Sequence, residues 1–474
     1  MAPFTARIAI PAILAPLLVF TFLTHASLND KYDINHHIDR LSGGRFGSTT
    51  TGGIRKQIYV PESEYPETEW INGVAGFNYF HNLYLTNGTF LIVTSNPDSL
   101  PPGGVNTILS GLSDPNDRYH NHHAAQEDRM MVVTPEEAKE RMLLRKAAVR
   151  KTGVSMFFNE VREGTMSSFL GHYFHCEMFL GAWRVVTSAG ESELPSRIMY
   201  RAQAPDWRDN ARITTWFQQS VLPETLVEES TIWEDREKSQ MTFLFDKIAI
   251  ADRWAAHRAG IDVKYWNKAN ADLPKLEVPI NWLDPLRDQI KRLVIAEGCE
   301  VKRDDPKVPV VVYIDRQFTG RRLVDHDAKE LLEEMNKLHE EGVIEFHDAV
   351  MERLHRTDQF CLALKADIMF GVHGNGLSHQ LWMKPGGAVM EIMAVGGFAR
   401  DYAILSEMMG HEYHAVHYNT TLPREKWTRP DGWAIGQNED FHSARITVDG
   451  KWMAGKVRAM AKARVGVVEP RLPY

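Results

Sequence analysis

The chain has 474 residues and a mass of 54.0 kDa, long enough for two or three domains with sizeable hydrophobic cores. Hydrophobic residues make up 43% and charged residues 24%, proportions that are typical of a globular protein. The formal net charge of −8 excludes the basic field that nucleic-acid-binding proteins carry, so we expect no nucleic-acid partner.

The N-terminal segment Ile8 to Thr24 is almost wholly apolar and follows Arg7. Such a run directs a chain into the secretory pathway. It is slightly short for a membrane-spanning helix, and Thr24-His25-Ala26 resembles a cleavage site, so residues 1–26 are predicted to be a signal anchor or a cleaved signal peptide. Segment 8–24 would then tie the chain to the ER or Golgi membrane, as a single-pass type II protein with a lumenal body, if it is not cleaved.

Three further features bear on the prediction that the chain enters the secretory pathway. The sequons Asn87-Gly88-Thr89 and Asn419-Thr420-Thr421 agree with it. Residues 27–68 are polar and rich in Gly, Ser, Thr and Asp, which predicts a flexible stem. The three cysteines permit at most one disulfide within the chain, and three buried free thiols are an equally good interpretation.

A first α/β domain is predicted over residues 69–275. Aromatic and small residues alternate from Asn72 to Thr94, and Phe243 to Ala251 is apolar, which predicts strands in both stretches. Thr134 and Glu137 have the spacing of a capping box, and the helix that they begin is predicted to continue through Ala147.

Two histidine-containing stretches and one Asp-Arg pair of this first domain could have functional roles. His120-Asn121-His122-His123 lacks a carboxylate or cysteine at ligand spacing, so an exposed polar loop is favoured over a metal site. The stretch from Met166 to Val186 predicts an apolar helix carrying His172, His175 and Glu177, and such histidines are more often core residues than catalytic ones. Asp252-Arg253 follows a predicted strand and either lies near a ligand cleft or, more simply, fixes a turn.

A second domain is predicted over residues 276–430, followed by a C-terminal loop and helix, 431–474, that pack back on the body. Helix periodicity is present in Pro285 to Gly298. From Val308 onward strands alternate with helices, which predicts βαβ units and a parallel sheet with helices on both faces. The predicted elements are strands at 308–314, 343–346, 368–372, 388–393 and 411–418, and helices at 323–341, 358–365 and 399–409.

The stretch from Ala366 to Met393 reads as strand, glycine loop, helix, turn and strand. Its loop is His373-Gly374-Asn375-Gly376, and the helix is predicted from Leu377 to Met383. Backbone N–H groups at a helix N-terminus bind anions, so residues 373–377 are predicted to cradle a phosphate.

A loop at the end of an earlier strand carries Arg316, Arg321 and Arg322, and guanidinium groups bind phosphate oxygens bidentately. We expect at least one of the three to face phosphate and at least one to be structural. Glu391, near the end of the next strand, is predicted to accept hydrogen bonds from a ribose. No GxGxxG fingerprint, GxxxxGK[ST] loop or strand-end DxD is present, so the ligand is predicted to be a free nucleotide held without a metal.

The span from Val308 to about Tyr418 resembles the catalytic domain of family 61 glycosyltransferases. The matching motifs are YIDRQFTGRRLVD, with Asp315 where the family often has serine, and ADIMFGVHGNGLSHQLWMKPGGAVMEI. The stretch HYFHCEMFLGAW is similar to the family's histidine-bearing helix, but Phe179 replaces an acidic residue often found there, and Glu177 is the nearest acid.

The resemblance implies a GT-B-like pair of Rossmann-like domains, with 69–275 on the acceptor side and 276–430 binding a nucleotide sugar. It implies transfer from a UDP-sugar to a glycan or glycoprotein hydroxyl by an inverting reaction, with no tightly bound cofactor. His175 and His373 are the candidate bases. The alternatives are a glycan- or nucleotide-binding protein without catalysis, which Phe179 favours slightly, and a Rossmann-type oxidoreductase, which the missing fingerprint disfavours.

Overall fold

Two large β-sheets carry the fold, one formed by strands between residues 59 and 251 and the other by strands between 310 and 422. The computed structural model describes residues 58–111, 127–159, 174–201, 208, 212–260, 269–301, 307–426 and 445–465. The predicted leader, residues 27–57 of the predicted stem and the histidine cluster at 120–123 lie outside these ranges. Within them, no helix has the length and apolar character that crossing a membrane requires.

The first sheet is mixed and has the strand order β5-β4-β3-β9-β6-β7-β8, with β1 paired to β6 and β2 to β3. Its strands are β1 Tyr59–Pro61, β2 Glu69–Val74, β3 Phe77–Thr86, β4 Thr89–Val93, β5 Met130–Val133, β6 Ala147–Phe158, β7 Arg197–Tyr200, β8 Leu226–Glu228 and β9 Thr242–Ala251. The strands β9, β6, β7 and β8 run parallel to one another, whereas β3 runs antiparallel to β9 and β1 antiparallel to β6.

The helices of this half are α1 Val105–Ile108, α2 Pro135–Glu140, α3 Leu180–Ser188, α4 Ile213–Val221, α5 Ser230–Lys238 and α6 Arg253–Ala259. A π-helical turn, Phe174–Phe179, leads into α3, and 3₁₀ turns lie at Glu62–Glu64 and Pro97–Ser99. This confirms the described part of the predicted apolar helix and the strands predicted in 72–94 and 243–251.

The helix predicted from Thr134 through Ala147 is only partly right. Thr134 accepts the Glu137 N–H and the Glu137 side chain returns the bond, so the capping box is present. The helix nevertheless ends at Glu140, and Met142 takes a φ of 49°, which an α-helix does not allow. Ala147 begins the central strand β6 instead, because its pairing with β9 and β1 outweighs the local preference for helix.

The second sheet has the order β12-β10-β13-β14-β15-β16 and is parallel except for β16. Its strands are β10 Val310–Ile314, β12 Glu345–Ala349, β13 Ile368–Val372, β14 Ala388–Ile392, β15 Glu412–His417 and β16 Thr420–Leu422. A separate two-stranded ladder pairs β11 Arg322–Leu323 with β17 Arg445–Ile446. After β10 the chain adds β12 on one side and β13 on the other, so the topological switch point lies between β10 and β13.

Helices cover both faces of this sheet. They are α7 Asp284–Ala296, α8 Asp325–Glu340, α9 Arg356–Lys365, α10 Asp401–Met409 and α11 Gly450–Val465. Short 3₁₀ helices lie at Leu273–Lys275, Met351–Arg353, Asn375–Trp382 and Arg424–Lys426. The fold is therefore α/β, as predicted, and the strands and helices predicted from Val308 to Tyr418 are confirmed with shifts of a few residues at their ends.

Successive side chains in the strands of the second sheet point to opposite faces, so they contribute to two separate hydrophobic clusters. Val311, Tyr313 and Phe370 pack with buried residues of α8 and α11 on one face. Val310, Val312 and Ile314 point to the other face and share one hydrophobic cluster with α7, α9 and α10 and with the first sheet. The C-terminal helix α11 thus packs on the face that α8 covers. The division into an acceptor-side and a donor-side domain stays a prediction.

Two cysteines are joined. Cys299, shortly after α7, forms a disulfide with Cys361 in α9 across a sequence separation of 62 residues. The bond ties α9 to the end of α7, and three residues of α9 next to or near Cys361 line the cavity described below. This resolves the choice between one disulfide and three free thiols in favour of the disulfide.

Candidate functional site

The arginine loop and the glycine loop meet at the topological switch point. Strand β10 ends at Ile314 and β13 at Val372, and both strands point their carboxyl ends to the same edge because they pair in parallel. Gly371 is opposite Ile314, and a Cβ on Gly371 would lie 2.8 Å from the Ile314 carbonyl oxygen. Only glycine permits this close approach. Ligands of open α/β sheets bind in the crevice at such a point.

Arg316 lies directly against the glycine loop. A Cβ placed on Gly374 would be 2.1 Å from Arg316 Nη1 and 2.5 Å from its Cζ, so the guanidinium occupies the space that a side chain would fill. No ion pair within the described residues engages Arg316. Burial, and next the neighbouring Arg321, lower the pKa of Arg316, although an arginine stays protonated at neutral pH. Within the described residues the guanidinium therefore has no ion-pair partner, although Glu352 is close enough to raise the pKa of Arg316.

The other two arginines are placed differently. The Arg321 carbonyl accepts hydrogen bonds from Arg316 Nε at 3.4 Å and from Thr319 Oγ1 at 3.1 Å, which closes the loop on itself. Arg322 begins β11 and pairs in register with Arg445. Neither lines the cavity beside Arg316. Arg316 is thus the member of the three that lines the cavity.

A cavity of about 540 Å³ opens beside these loops. Its polar wall includes Asp315, Arg316 and Thr319 from the arginine loop and Asn375 and Gly376 from the glycine loop. Its apolar wall is formed by the residues Ile213 and Phe217 of α4, Phe360 of α9, and Leu381 and Trp382. The cavity therefore has one wall that carries the Arg316 guanidinium and another that is aromatic, and residues from both halves of the chain line it. A second cavity, of about 410 Å³, lies between α10 and β15–β16 and includes none of the predicted site residues.

His373 and Glu391 form a buried pair. The His373 Nδ1 and the Glu391 carboxylate are hydrogen-bonded, and the Tyr413 hydroxyl donates to the other Glu391 oxygen. Burial raises the pKa of Glu391, while the bonds from His373 and Tyr413 oppose that rise. Glu391 is fully buried with both oxygens occupied, so it holds the imidazole of His373 and is not placed to contact a ribose directly, contrary to the sequence interpretation.

The helix predicted from Leu377 to Met383 is present as a 3₁₀ helix, Asn375–Trp382, which begins two residues earlier. The Leu377 N–H donates to the Gly374 carbonyl at 3.0 Å, and the Leu377 side chain is fully buried. Leu377 therefore cannot serve a phosphate as predicted. Asn375 and Gly376 are the part of the predicted cradle that lines the cavity, and Gly374 lies against Arg316.

His379 is a cavity residue that the sequence did not single out. Gln359 Nε2 donates to the carbonyls of Met351 and Leu354, which turns Gln359 Oε1 toward His379 Nε2 at 3.1 Å. This arrangement assigns the ring proton to Nε2. Burial lowers the pKa of His379 to about 4, so the ring is neutral at physiological pH. The sequence signal was only its place in the helix after the glycine loop.

The residues considered in the predicted first domain lie in the π-helical turn before α3 and directly after β9. The His175 side chain is outside the described residues, although its backbone belongs to the π-helical turn. Phe179 is a core residue whose ring meets Phe217 edge to face. Glu177 is buried, and within the described residues its closest charged group is Arg253 Nη1 at 3.8 Å. Asp252 caps α6 and accepts from Ser110, so the simpler interpretation, a fixed turn, is confirmed.

Comparison with known families agrees with this site. The family model described as Glycosyltransferase 61 matches residues 212–390. The matched range begins at α4 and includes Arg316 and the glycine loop, whereas His175 and Glu391 lie outside it. A comparison with curated proteins gives no significant match. The match over residues 212–390 supports membership of glycosyltransferase family 61.

Proposed function

We propose that this protein transfers a sugar from a nucleotide sugar, with UDP as the nucleotide, to a hydroxyl group of a glycan or glycoprotein. The observation that carries the proposal is the position of the Arg316 guanidinium against Gly374, at the edge of the cavity and at the switch point of a parallel sheet. A nucleoside diphosphate fits both ends of the cavity, because its phosphates match Arg316 and its base matches the aromatic wall.

The proposed reaction inverts the anomeric carbon. The acceptor oxygen forms a bond to that carbon on the face opposite the diphosphate, and the bond from the carbon to the diphosphate oxygen breaks. Negative charge then grows on the departing diphosphate. Arg316 and the backbone N–H groups of Gly374 to Gly376 would stabilise this charge, so no metal is assigned to the step.

His373 is our first candidate for the base, and His175 the second. The hydrogen bond to the Glu391 carboxylate places the proton of neutral His373 on Nδ1, which makes Nε2 the basic nitrogen. A buried carboxylate behind an imidazole stabilises the imidazolium that forms on proton uptake. The support for His373 is thus electrostatic, while that for His175 rests on the family resemblance.

The proposal extends to the whole chain. A GT-B-like arrangement would place the first sheet on the acceptor side and the second on the donor side of the cavity. Segment 8–24 would hold the protein in the ER or Golgi membrane with its body in the lumen. The exposed sequon residues Asn87 and Asn419 agree with a lumenal body.

The test is release of UDP from a panel of UDP-sugars by the purified full-length chain. A thermal-shift screen first identifies the donor, because stabilisation grows with ligand concentration over Kd. We expect Arg316→Ala and His373→Ala to lose release, and Arg458→Ala, which removes a surface arginine of α11, to retain it. Wild-type turnover in both site variants would refute the assignment. UDP binding without transfer to any acceptor would support the alternative of a binding protein.

A further inference from the structure

Asp315 stands between the end of β10 and Arg316, and it is the position at which this chain differs from the serine often found in the family motif. Its backbone N–H donates to the Ala349 carbonyl at 2.9 Å, which extends the β10–β12 ladder by one residue. The backbone of Asp315 is therefore as fixed as the strand, and its side chain leaves the sheet at the same edge as the glycine loop.

Within the described residues, one carboxylate oxygen of Asp315 accepts a hydrogen bond and the other accepts none. Oδ1 accepts the backbone N–H of Gln317 at 2.7 Å, which turns the chain toward the arginine loop. Within the described residues, no hydrogen bond or ion pair reaches Oδ2. The residue is only 6% exposed, yet it lines the cavity, so its small accessible surface faces that space.

Such a carboxylate is unfavourable in the ligand-free protein. Burial raises the pKa of Asp315, and the Gln317 N–H only partly opposes the rise. The Arg353 guanidinium also opposes the rise, and Oδ2 is not among the fully buried oxygens that lack a hydrogen-bond partner, so it stays open to the cavity. The structure thus holds a fixed acceptor at the cavity wall whose partner is not part of the described protein.

We propose that Asp315 Oδ2 accepts a hydrogen bond from a hydroxyl group of the nucleotide-sugar donor. This inference rests on the proposed function. The diphosphate that Arg316 would hold carries a hydroxylated ring on either side, the ribose and the transferred sugar, and Asp315 is the adjacent residue. A carboxylate repels phosphate oxygens but binds hydroxyl donors, and carboxylates at strand ends bind ribose hydroxyls in other nucleotide folds. Asp315 would replace Glu391 as the hydroxyl acceptor of the site.

The variant Asp315→Asn separates this role from a structural one. Its Oδ1 can still accept the Gln317 N–H, so the turn is kept, while an NH₂ group that cannot accept a hydrogen bond replaces Oδ2. Since a buried charge is removed, we expect the melting temperature of the ligand-free protein to stay the same or rise. The variant Asp315→Ser, which also keeps an acceptor for the turn, is the second probe.

Calorimetry with UDP, 2′-deoxy-UDP, 3′-deoxy-UDP and the UDP-sugar identified by the thermal-shift screen gives the test on the full chain. If the partner is the ribose, Asp315→Asn weakens UDP binding by about tenfold or more, and one deoxy analogue binds the wild type and the variant equally. If the partner is the transferred sugar, the same loss occurs for the UDP-sugar and not for UDP. Affinities within twofold of wild type for all four ligands overturn the proposal.

Two controls distinguish the failure of this inference from failure of the proposed function. Arg316→Ala should weaken UDP regardless of Asp315, so a loss there with none in Asp315→Asn refutes only the inference. A wild type that binds no UDP refutes both. A lower melting temperature of ligand-free Asp315→Asn, together with equal losses for UDP and both deoxy analogues, would show a structural role and likewise overturn the proposal.

Discussion

Gly374→Ala should weaken nucleotide binding by displacing Arg316, without unfolding the protein. The φ of Gly374 is 162°, an extended value that alanine also adopts, so the backbone is not strained. The added methyl would lie 2.1 Å from Arg316 Nη1, and a comfortable contact needs about 3.5 Å, so the guanidinium must move by roughly 1.4 Å. The long arginine side chain can make this shift at little cost to stability.

The shift exceeds what a hydrogen bond to phosphate tolerates, because charged N–H···O bonds span only about 2.7–2.9 Å. Losing one such bond costs about 1.5–3 kcal/mol, which corresponds to an increase in Kd of about 10- to 150-fold. Calorimetry with UDP on the wild type, Gly374→Ala, Arg316→Ala and the double variant measures this loss. Because both substitutions remove the same contact, the double variant should bind no more weakly than Arg316→Ala.

The matched control is Gly455→Ala in α11, where an added Cβ meets no atom within 4 Å. This variant should bind UDP like the wild type. The reasoning is refuted if Gly374→Ala keeps wild-type affinity, or if the losses of the two single variants add in the double variant.

Three further predictions concern stability, each measured by urea unfolding. Burial lowers the pKa of His411 to about 4, so between about pH 6.5 and 4 this residue binds fewer protons in the folded protein than in the unfolded chain. The contribution of His411 to the unfolding free energy should therefore fall by about 3 kcal/mol from pH 7 to pH 4, and His411→Gln should remove this share of a fall to which His379 also contributes. Reduction of the Cys299–Cys361 disulfide, which closes a separation of 62 residues, should lower stability by about 4 kcal/mol, whereas a Cys299→Ser/Cys361→Ser variant should not respond to reductant. Tyr413→Phe leaves one oxygen of the buried Glu391 without its donor and should cost about 1–3 kcal/mol, whereas Tyr418→Phe at an exposed position should be neutral; equal stabilities would show that the Tyr413 bond contributes little.

The second half of the fold was predictable because its signals are local. Strands such as Val310–Ile314 are short β-branched runs, and the helix Asp325–Glu340 has the apolar spacing that buries Ala328, Leu331, Met335 and Leu338. The strand order was not predictable, because it depends on which strands pair across long separations. The contact of Arg316 with Gly374 follows from that order, since it needs β10 and β13 to be neighbours.

The first half shows where local signals fail. The stretch after Glu140 is charged and rich in helix-forming residues, yet Ala147–Phe158 is the strand between β9 and β7. The strand pairs with three others, and its residues Val154 to Phe158 are buried almost completely. Burying the side chains on both faces of a central strand contributes more free energy than the differences in helix propensity. Those differences are only about 0.7 kcal/mol per residue among ordinary residues.

The two acidic residues of the candidate site show why its chemistry needed the structure. Both Glu391 and Asp315 stand at or just after a strand's carboxyl end, and by position alone Glu391 was the choice for a ligand hydroxyl. Their hydrogen bonds reverse that choice. A carboxylate whose oxygens already accept from His373 and Tyr413 would have to lose one bond for each that it gained from a ligand, so binding would bring little net free energy. Asp315 has one oxygen bonded to Gln317 and one facing the cavity, so a ligand hydroxyl there adds a bond without breaking one.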